Sequence, residues 1–207
     1  MEETCDVSFF IPGIRKTGLQ KRVKYVIMVK NNSRRGFAPE TRKHMSNYIY
    51  RIATPDDLER IWAKDIAANP GDDAWLRWRE QYIGYNRDGD AVTFVVVYDG
   101  EPVGQGTLLF SPECSAIRGR RNLADGTRIT NVNALRIEKA HEGQGHISRM
   151  VRMMERYAKE HGFDTITIGV EAAETRNLAI YLHWNYTKFV MADIDDDELV
   201  LYYGKEL

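Results

Sequence analysis

Cysteine is almost missing from this chain, with two in 207 residues, Cys5 and Cys114. Neither stands in a metal-ligand spacing and the two make no disulfide framework, so a reducing, cytoplasmic setting is expected. Long apolar runs are missing too. Nothing approaches the roughly 18 consecutive apolar residues of a membrane span, and no secretory leader pattern is visible, so no membrane association is expected. Charge of one sign is not in excess, with 29 Lys and Arg against 30 Asp and Glu. That balance hides an asymmetry: residues 1–47 carry ten basic and four acidic side chains, net +6, and the remainder nets −7. A basic arm can serve nucleic acid or an acidic surface. This one is short and poor in aromatics, so nucleic acid is not expected as a partner. Internal repeats and low-complexity tracts are absent as well.

The 43% hydrophobic content suits one domain with a sizeable core. Residues 1–44 show little periodicity beyond YVIMV at 25–29, one short strand. They are expected to lie outside the folded unit or to act as an accessory segment, with 45–207 as the domain proper. From residue 48 the pattern sharpens. A strand at 48–52 leads to Thr54, Pro55 and Asp57, which are N-cap, first helical residue and acidic first turn of a helix carrying Leu58, Ile61, Trp62 and Ile66. Asn69-Pro70-Gly71 breaks it. Asp72 or Asp73 then caps a second helix striped by Trp75, Trp78 and Tyr82. Strands at 91–98 and 101–110 flank Asp99-Gly100, a two-residue hairpin signal, and a loop holding Arg118, Arg120 and Arg121 fills 111–127. Strand 130–137, a helix burying Ile147, Met150, Val151, Met154 and Ala158, and strand 165–170 make a right-handed crossover with parallel pairing. A short helix at 175–183 and a hairpin of 186–192 with 199–204 complete a mixed α/β domain.

NALRIEKAHEGQGHISRMV, residues 133–151, is a strand, a loop with Gly143 and Gly145, and an amphipathic helix. Glycine lets the backbone turn tightly and approach a ligand, and the unpaired N–H groups of a first helical turn favour phosphate. Spacing alone fits a pyrophosphate loop or a plain tight turn equally well. His141, Glu142 and His146 spell H-E-x-x-x-H, one residue longer than the zinc-protease spacing and spread over a loop, so no metal is expected.

In order, these elements resemble the GNAT acetyltransferase superfamily over 48–207, most sharply over 135–186. LRIEKAHEGQGHISRMV is similar to the family's acetyl-CoA motif, a strand running into an R/Q-x-x-G-x-G/A loop and helix. His161-Gly162-Phe163 falls where the family's helix ends in a Gly-Phe pair. ETRNLAIYLHWNY looks like the second motif, a helix carrying Tyr181 before an aromatic-ended turn. The resemblance implies an α/β fold with a central mixed, mostly antiparallel sheet, one splayed parallel pair and flanking helices. The chain departs from the family at Glu142 (usually Arg or Gln), Ile147 (Gly or Ala), Glu174 (Asn) and Asn185 (Gly). Glu142 puts a carboxylate beside the pyrophosphate, though backbone amides still bind. Ile147 is expected to crowd the first helical turn.

The resemblance also implies acetyl-CoA as cosubstrate. The strand edge at Leu135, Arg136 and Ile137 would pair with pantetheine amides, and a backbone N–H near Ile137 would stabilise the oxyanion. Amides of Glu142, Gly143, Gln144, Gly145, His146, Ile147 and Ser148 would hold the pyrophosphate, and Asn177 on the later helix is a further cofactor-binding candidate. Arg149 or Arg152 meets the adenosine 3′-phosphate or lies on a solvated face. Tyr181 stands at the family's general acid, protonated at neutral pH with an ordinary pKa near 10. Asn131 and Asn133 replace the Glu of some relatives. Neither takes up a proton, so Asn133 at most positions a water, while Glu171 and His183 are weaker candidates. Trp62, Trp75 and Asp73, from the first two helices, suit a cationic acceptor by ion pairing and cation–π contact, unless the tryptophans are core and the acids caps. The expected function is direct transfer of acetyl to a primary amine of a small molecule or peptide in a ternary complex, with a homodimer as a further expectation. The competing expectation is a GNAT-fold module that holds CoA without turnover.

Overall fold

The computed structural model describes residues 47–195 and 197–207, together with the backbone of two short antiparallel strands, β1 (Cys5–Val7) and β2 (Tyr25–Ile27). The extension expected at 1–44 otherwise lies outside the described residues. The domain continues with β3 (Tyr48–Ile52), α1 (Pro55–Ala68), α2 (Ala74–Asp88), β4 (Ala91–Tyr98), β5 (Glu101–Leu109) and β6 (Ile129–Ile137). Then come α3 (His146–Glu160), β7 (Thr165–Glu171), α4 (Thr175–His183), β8 (Lys188–Asp195) and β9 (Glu198–Glu206). The sheet runs β3-β4-β5-β6-β7-β9-β8, antiparallel throughout except for β6–β7. That is the mixed α/β architecture expected from the order of elements.

Local chemistry sets the boundaries. Thr54 Oγ1 accepts from the Asp57 N–H while the Asp57 carboxylate accepts from the Thr54 N–H at 2.7 Å, which closes a capping box at the start of α1. Asp73 stands at the N-cap of α2 without a side-chain bond, and it is the preceding Asp72 whose Oδ1 accepts from the Ala74 N–H at 3.0 Å. Asp99 and Gly100 both take positive φ, as a two-residue turn between twisted strands requires. β8 starts two residues later than expected because Asn185 and Tyr186 end α4. Asn185 is left-handed at φ 70°, and the Tyr186 N–H returns to the Tyr181 carbonyl at 3.0 Å. Asparagine tolerates that conformation better than other side-chain-bearing residues, which explains how it replaces the family's glycine.

Two cores lie on opposite faces of the sheet. Ile147, Met150, Val151, Met154 and Ala158 of α3 pack with Leu135, Ile137 and Tyr181 on one face. Trp62, Trp78 and Tyr82 of α1 and α2 pack with Ile117, Leu123, Ala134 and Tyr202 on the other. The 111–127 loop covers this second face. Its Ser115 N–H reaches the Tyr85 hydroxyl, and Arg118 and Arg120 pair with the buried carboxylate of Asp195. The third loop arginine, Arg121, reaches only the Asp125 carbonyl, at 3.4 Å. No helix among the described residues is long and apolar enough to cross a membrane.

Candidate active site

The site begins with a break in β6. Ala134 sits at φ 47°, and pairing with β5 shifts register between Gln105 and Thr107. An extra residue on β6 therefore bulges against Gly106, where an added Cβ would lie 2.6 Å from Leu135 Cδ1. Beyond the bulge β6 leaves its other neighbour. The parallel ladder runs from Ile129–Thr165 to Val132–Ile168 and stops, while β7 stays paired with β9 as far as Glu171. The two strands part into a cleft lined by Val132, Asn133, Ala134, Leu135, Ile168, Gly169, Tyr181 and Tyr202.

At the end of β6 the backbone makes a single 3-10 turn, Lys139–His141, and then the glycine turn into α3. Gly143 and Gly145 take φ of 71° and 80°, values that L side chains rarely adopt. The N-cap of α3 is Gly145, which has no side chain to cap it, and among the described residues no side chain bonds the N–H groups of its first turn, the groups that favour an anion. Gln144 is exposed, and Ser148 Oγ accepts from Arg152 at 3.0 Å. Ile147 corrects an expectation. It is 4% exposed and points into the core beside Met150 and Val151, so it does not crowd the turn. Asn177 is buried on α4.

Tyr181 is buried, lines the cleft and makes no hydrogen bond through its hydroxyl among the described residues. Burial raises its pKa further above the phenol value, with Glu174 adding to the shift. Asn133 also lines the cleft, but its side chain is largely occupied. Oδ1 accepts from the Tyr82 hydroxyl at 2.6 Å and from the Ala134 N–H at 2.9 Å. Nδ2 faces Asn131 Oδ1 at 3.4 Å, and Asn131 in turn donates to Thr167.

Side chains alternate along β6. Leu135 and Ile137 face α3, whereas Arg136 turns to the α1 side, so Arg136 can serve a donor bound at the strand edge through its backbone only. Its guanidinium pairs with Asp65 in the interior, donates to the suitably turned Gln105 amide oxygen, and lies 4.7 Å over the Trp62 ring. Trp62 itself is 1% exposed and does not line the cleft; it is core, the plainer of the two readings. Trp75 is half-buried, with Arg136 5.9 Å from its ring, and Asp73 is exposed before α2. Neither lines the cleft. A separate cavity of about 220 Å³ opens between α1 and the ends of β5 and β6, walled by Ile61, Ala68, Val103 and Ile137. Its four charged residues are paired, Lys64 with Glu138 and Asp65 with Arg136, so it offers a cationic ligand little net charge.

Sequence reasoning missed the tyrosines of β3. The Tyr48 hydroxyl lies 2.7 Å from His141 Nδ1, and the Tyr50 hydroxyl 2.6 Å from His146 Nδ1. Alternation at 48 and 50 was the available signal, but nothing in the sequence brings β3 to the loop after β6.

No curated protein matches the chain. Among solved structures, an N-acetyltransferase from Staphylococcus aureus Mu50 is similar at 18% identity and TM-score 0.57, covering 78% of this chain and 99% of that one. The yncA protein of Salmonella typhimurium, solved with its cofactor acetyl-CoA, is 11% identical at TM-score 0.55, with 78% and 94% covered. NAA60 of Arabidopsis thaliana, in complex with a bisubstrate analogue, is 16% identical at TM-score 0.54, with 77% and 97% covered. These likenesses concern the fold. The family model described as Acetyltransferase (GNAT) family matches residues 49–186, which takes in β3 to β7, with the parted strands, the glycine turn and α4, and ends before β8 and β9. The chain belongs to the GNAT acetyltransferase family.

Proposed function

We propose that the protein transfers acetyl from acetyl-CoA directly to a primary amine of a small molecule or peptide, with both substrates bound together. One observation carries the reading: β6 and β7 part after Val132 and Ile168, Tyr181 lines the gap, and an uncapped helix N-terminus follows the same strand. A cleft of that form fits a chain of amides that ends in a diphosphate. When bound, acetyl-CoA supplies an activated thioester carbonyl. The protein's own groups do the rest. N–H groups of residues 143–148 hold the diphosphate, and the free edge of β6 pairs with the amides. A backbone N–H near Ile137 supports the carbonyl oxygen. The protonated Tyr181 hydroxyl donates to the departing sulfur.

No carboxylate lines the cleft among the described residues, and the Asn133 amide takes up no proton. The acceptor therefore has to arrive neutral. At pH 7.5 roughly a third of an α-amino group with pKa near 7.8 is neutral, against about 0.1% of an alkylamine near 10.4. That difference, about 3 kcal/mol, favours a peptide α-amino group or an amine of similarly low pKa.

Coenzyme A release measured over amines of rising pKa tests this. The expected result is activity with α-amino acceptors, an alkaline-rising limb that moves with the acceptor's pKa, and a roughly 10²–10⁴-fold loss in Tyr181→Phe. Undiminished transfer in that variant would show the acid assignment to be wrong. Tight acetyl-CoA binding with no release for any amine would favour a non-turnover module, the reading that the amide pair Asn131 and Asn133 supports.

A further inference from the structure

His141 and His146 bracket the glycine turn, and each is met by a hydroxyl from the far edge of the sheet, Tyr48 on His141 and Tyr50 on His146. The two tyrosines are two residues apart on β3 and so share a face. β3 and β6 are three strand spacings apart, roughly 14 Å, so the chain leaving β6 crosses over β5 and β4 to reach them. The rings pack as well as bond. Tyr48 lies 4.2 Å from His146 and 4.7 Å from Tyr98, Tyr98 lies 5.0 Å from His141, and the Arg149 guanidinium sits 4.0 Å over Tyr50.

His146 is the tighter of the two anchors. It is 4% exposed, and its Nε2 has no partner among the described residues, so Tyr50 alone fixes the ring by hydrogen bonding. Burial, with His141 and Arg149 close by, lowers its pKa and so favours the neutral imidazole. A neutral ring shares a single proton with the Tyr50 hydroxyl, which makes a directed bond.

We propose that Tyr48 and Tyr50 are positioning residues for the acetyl donor: through His141 and His146 they fix both ends of the 142–145 turn in the form that receives a diphosphate. This rests on the acetyl-CoA reading above. A turn built on two left-handed glycines has many other conformations, and ordering it only when the donor binds would weaken binding. The latch orders it beforehand. Neither tyrosine lines the cleft, so their effect is confined to the diphosphate end of the donor.

The experiment compares Tyr48→Phe and Tyr50→Phe with wild type on two donors, acetyl-CoA and S-acetylpantetheine, which keeps the thioester and amides but lacks the diphosphate. Phenylalanine retains the ring that stacks on Tyr98, His146 and Arg149 and deletes only the hydroxyl. Each variant is expected to raise KM for acetyl-CoA roughly three- to tenfold, the range of one lost hydrogen bond, with kcat nearly unchanged. kcat/KM for S-acetylpantetheine should stay at the wild-type value. An equal fall with both donors would show a general structural role and overturn the proposal, as would unchanged KM for acetyl-CoA in both variants. If wild type itself uses the two donors equally well, the turn does not bind diphosphate, and the proposal falls together with the reading beneath it.

Discussion

Alanine at Gly145 isolates the backbone requirement of the turn from everything around it. An added Cβ would meet nothing within 4 Å, so no clash contributes and only the left-handed conformation at φ 80° is penalised. For an L side chain that penalty is about 1–2 kcal/mol. The protein can respond in two ways. If the turn keeps its shape, stability falls by that amount, about 2–8 °C in Tm for a chain of this size. If the turn relaxes, stability is largely kept and the donor's Kd rises about five- to thirtyfold. The two losses draw on one strain, so their sum is fixed while their split is not. Calorimetric titration with acetyl-CoA and thermal unfolding of Gly145→Ala measure both. Gly145→Asn, whose side chain tolerates the same region, should show a smaller total. If Gly145→Ala matched wild type in both Tm and Kd, the turn would not need its left-handed glycine, and the argument from backbone amides would fail.

Asp57 should set an acid limb of stability. Burial alone would raise its carboxyl, but Arg51, the Thr54 hydroxyl and the Thr54 N–H outweigh that and hold it at about 2. Its folded value is below the unfolded value near 3.9, so its contribution is present above about pH 4 and lost as pH falls from there to 2. After discounting for the partly solvated Arg51 head it amounts to roughly 1–2 kcal/mol, and urea denaturation of Asp57→Asn should show a flatter acid limb. Asp65→Asn leaves the buried Arg136 guanidinium unpaired and should cost about 3–5 kcal/mol by the same assay, with much of it recovered in Asp65→Asn/Arg136→Met. Gly169→Ala places a Cβ 2.8 Å from Tyr202 Cε1, a ring anchored through its hydroxyl to Asp195. Overpacking of about 1–3 kcal/mol is expected, seen as a lower Tm. Cleft widths that shift with that ring should also make kcat/KM fall.

Elements with a strong local signal were legible from the residues. The N-cap at Thr54, the Asp99-Gly100 turn and the 3.6-residue stripe of α3 each depend on neighbours in sequence, and each stands where expected. The glycine loop was legible for a related reason, since a strand–turn–helix unit carries its own geometry, whereas Tyr181 was singled out only because ETRNLAIYLHWNY resembles the family's second motif. Side-chain destinations set by distant strands were not. Trp62 reads alike as a cage wall or as core until β6 brings Arg136 over it. Ile147 looks obstructive on a linear motif, yet a residue at the start of a helix can point to sheet or solvent, and packing against the sheet decides. The Tyr48 and Tyr50 contacts with histidines more than ninety residues away follow from sheet order, which no local pattern encodes.

Two features of the site share a physical origin, since both place backbone where side chains cannot satisfy it. The bulge at Ala134 bends β6 away from β7, so the strand edge after Val132 has lost its ladder partner. The left-handed glycine at 145 ends the turn without a side-chain cap, so the first N–H groups of α3 have lost theirs. Unpaired backbone is costly once water is excluded, roughly 1–3 kcal/mol for each buried group, so a fold that leaves two such sets adjacent is poised for an occupant. An extended molecule with amides at one end and a diphosphate at the other would satisfy both sets at once. The bulge and the glycine are each mildly strained on their own, and that strain is stabilised by the well-packed α3 and β5 on either side. Tightening the sheet at Ala134, or capping α3 with a side chain, would raise stability by removing the very groups that the proposed donor site uses.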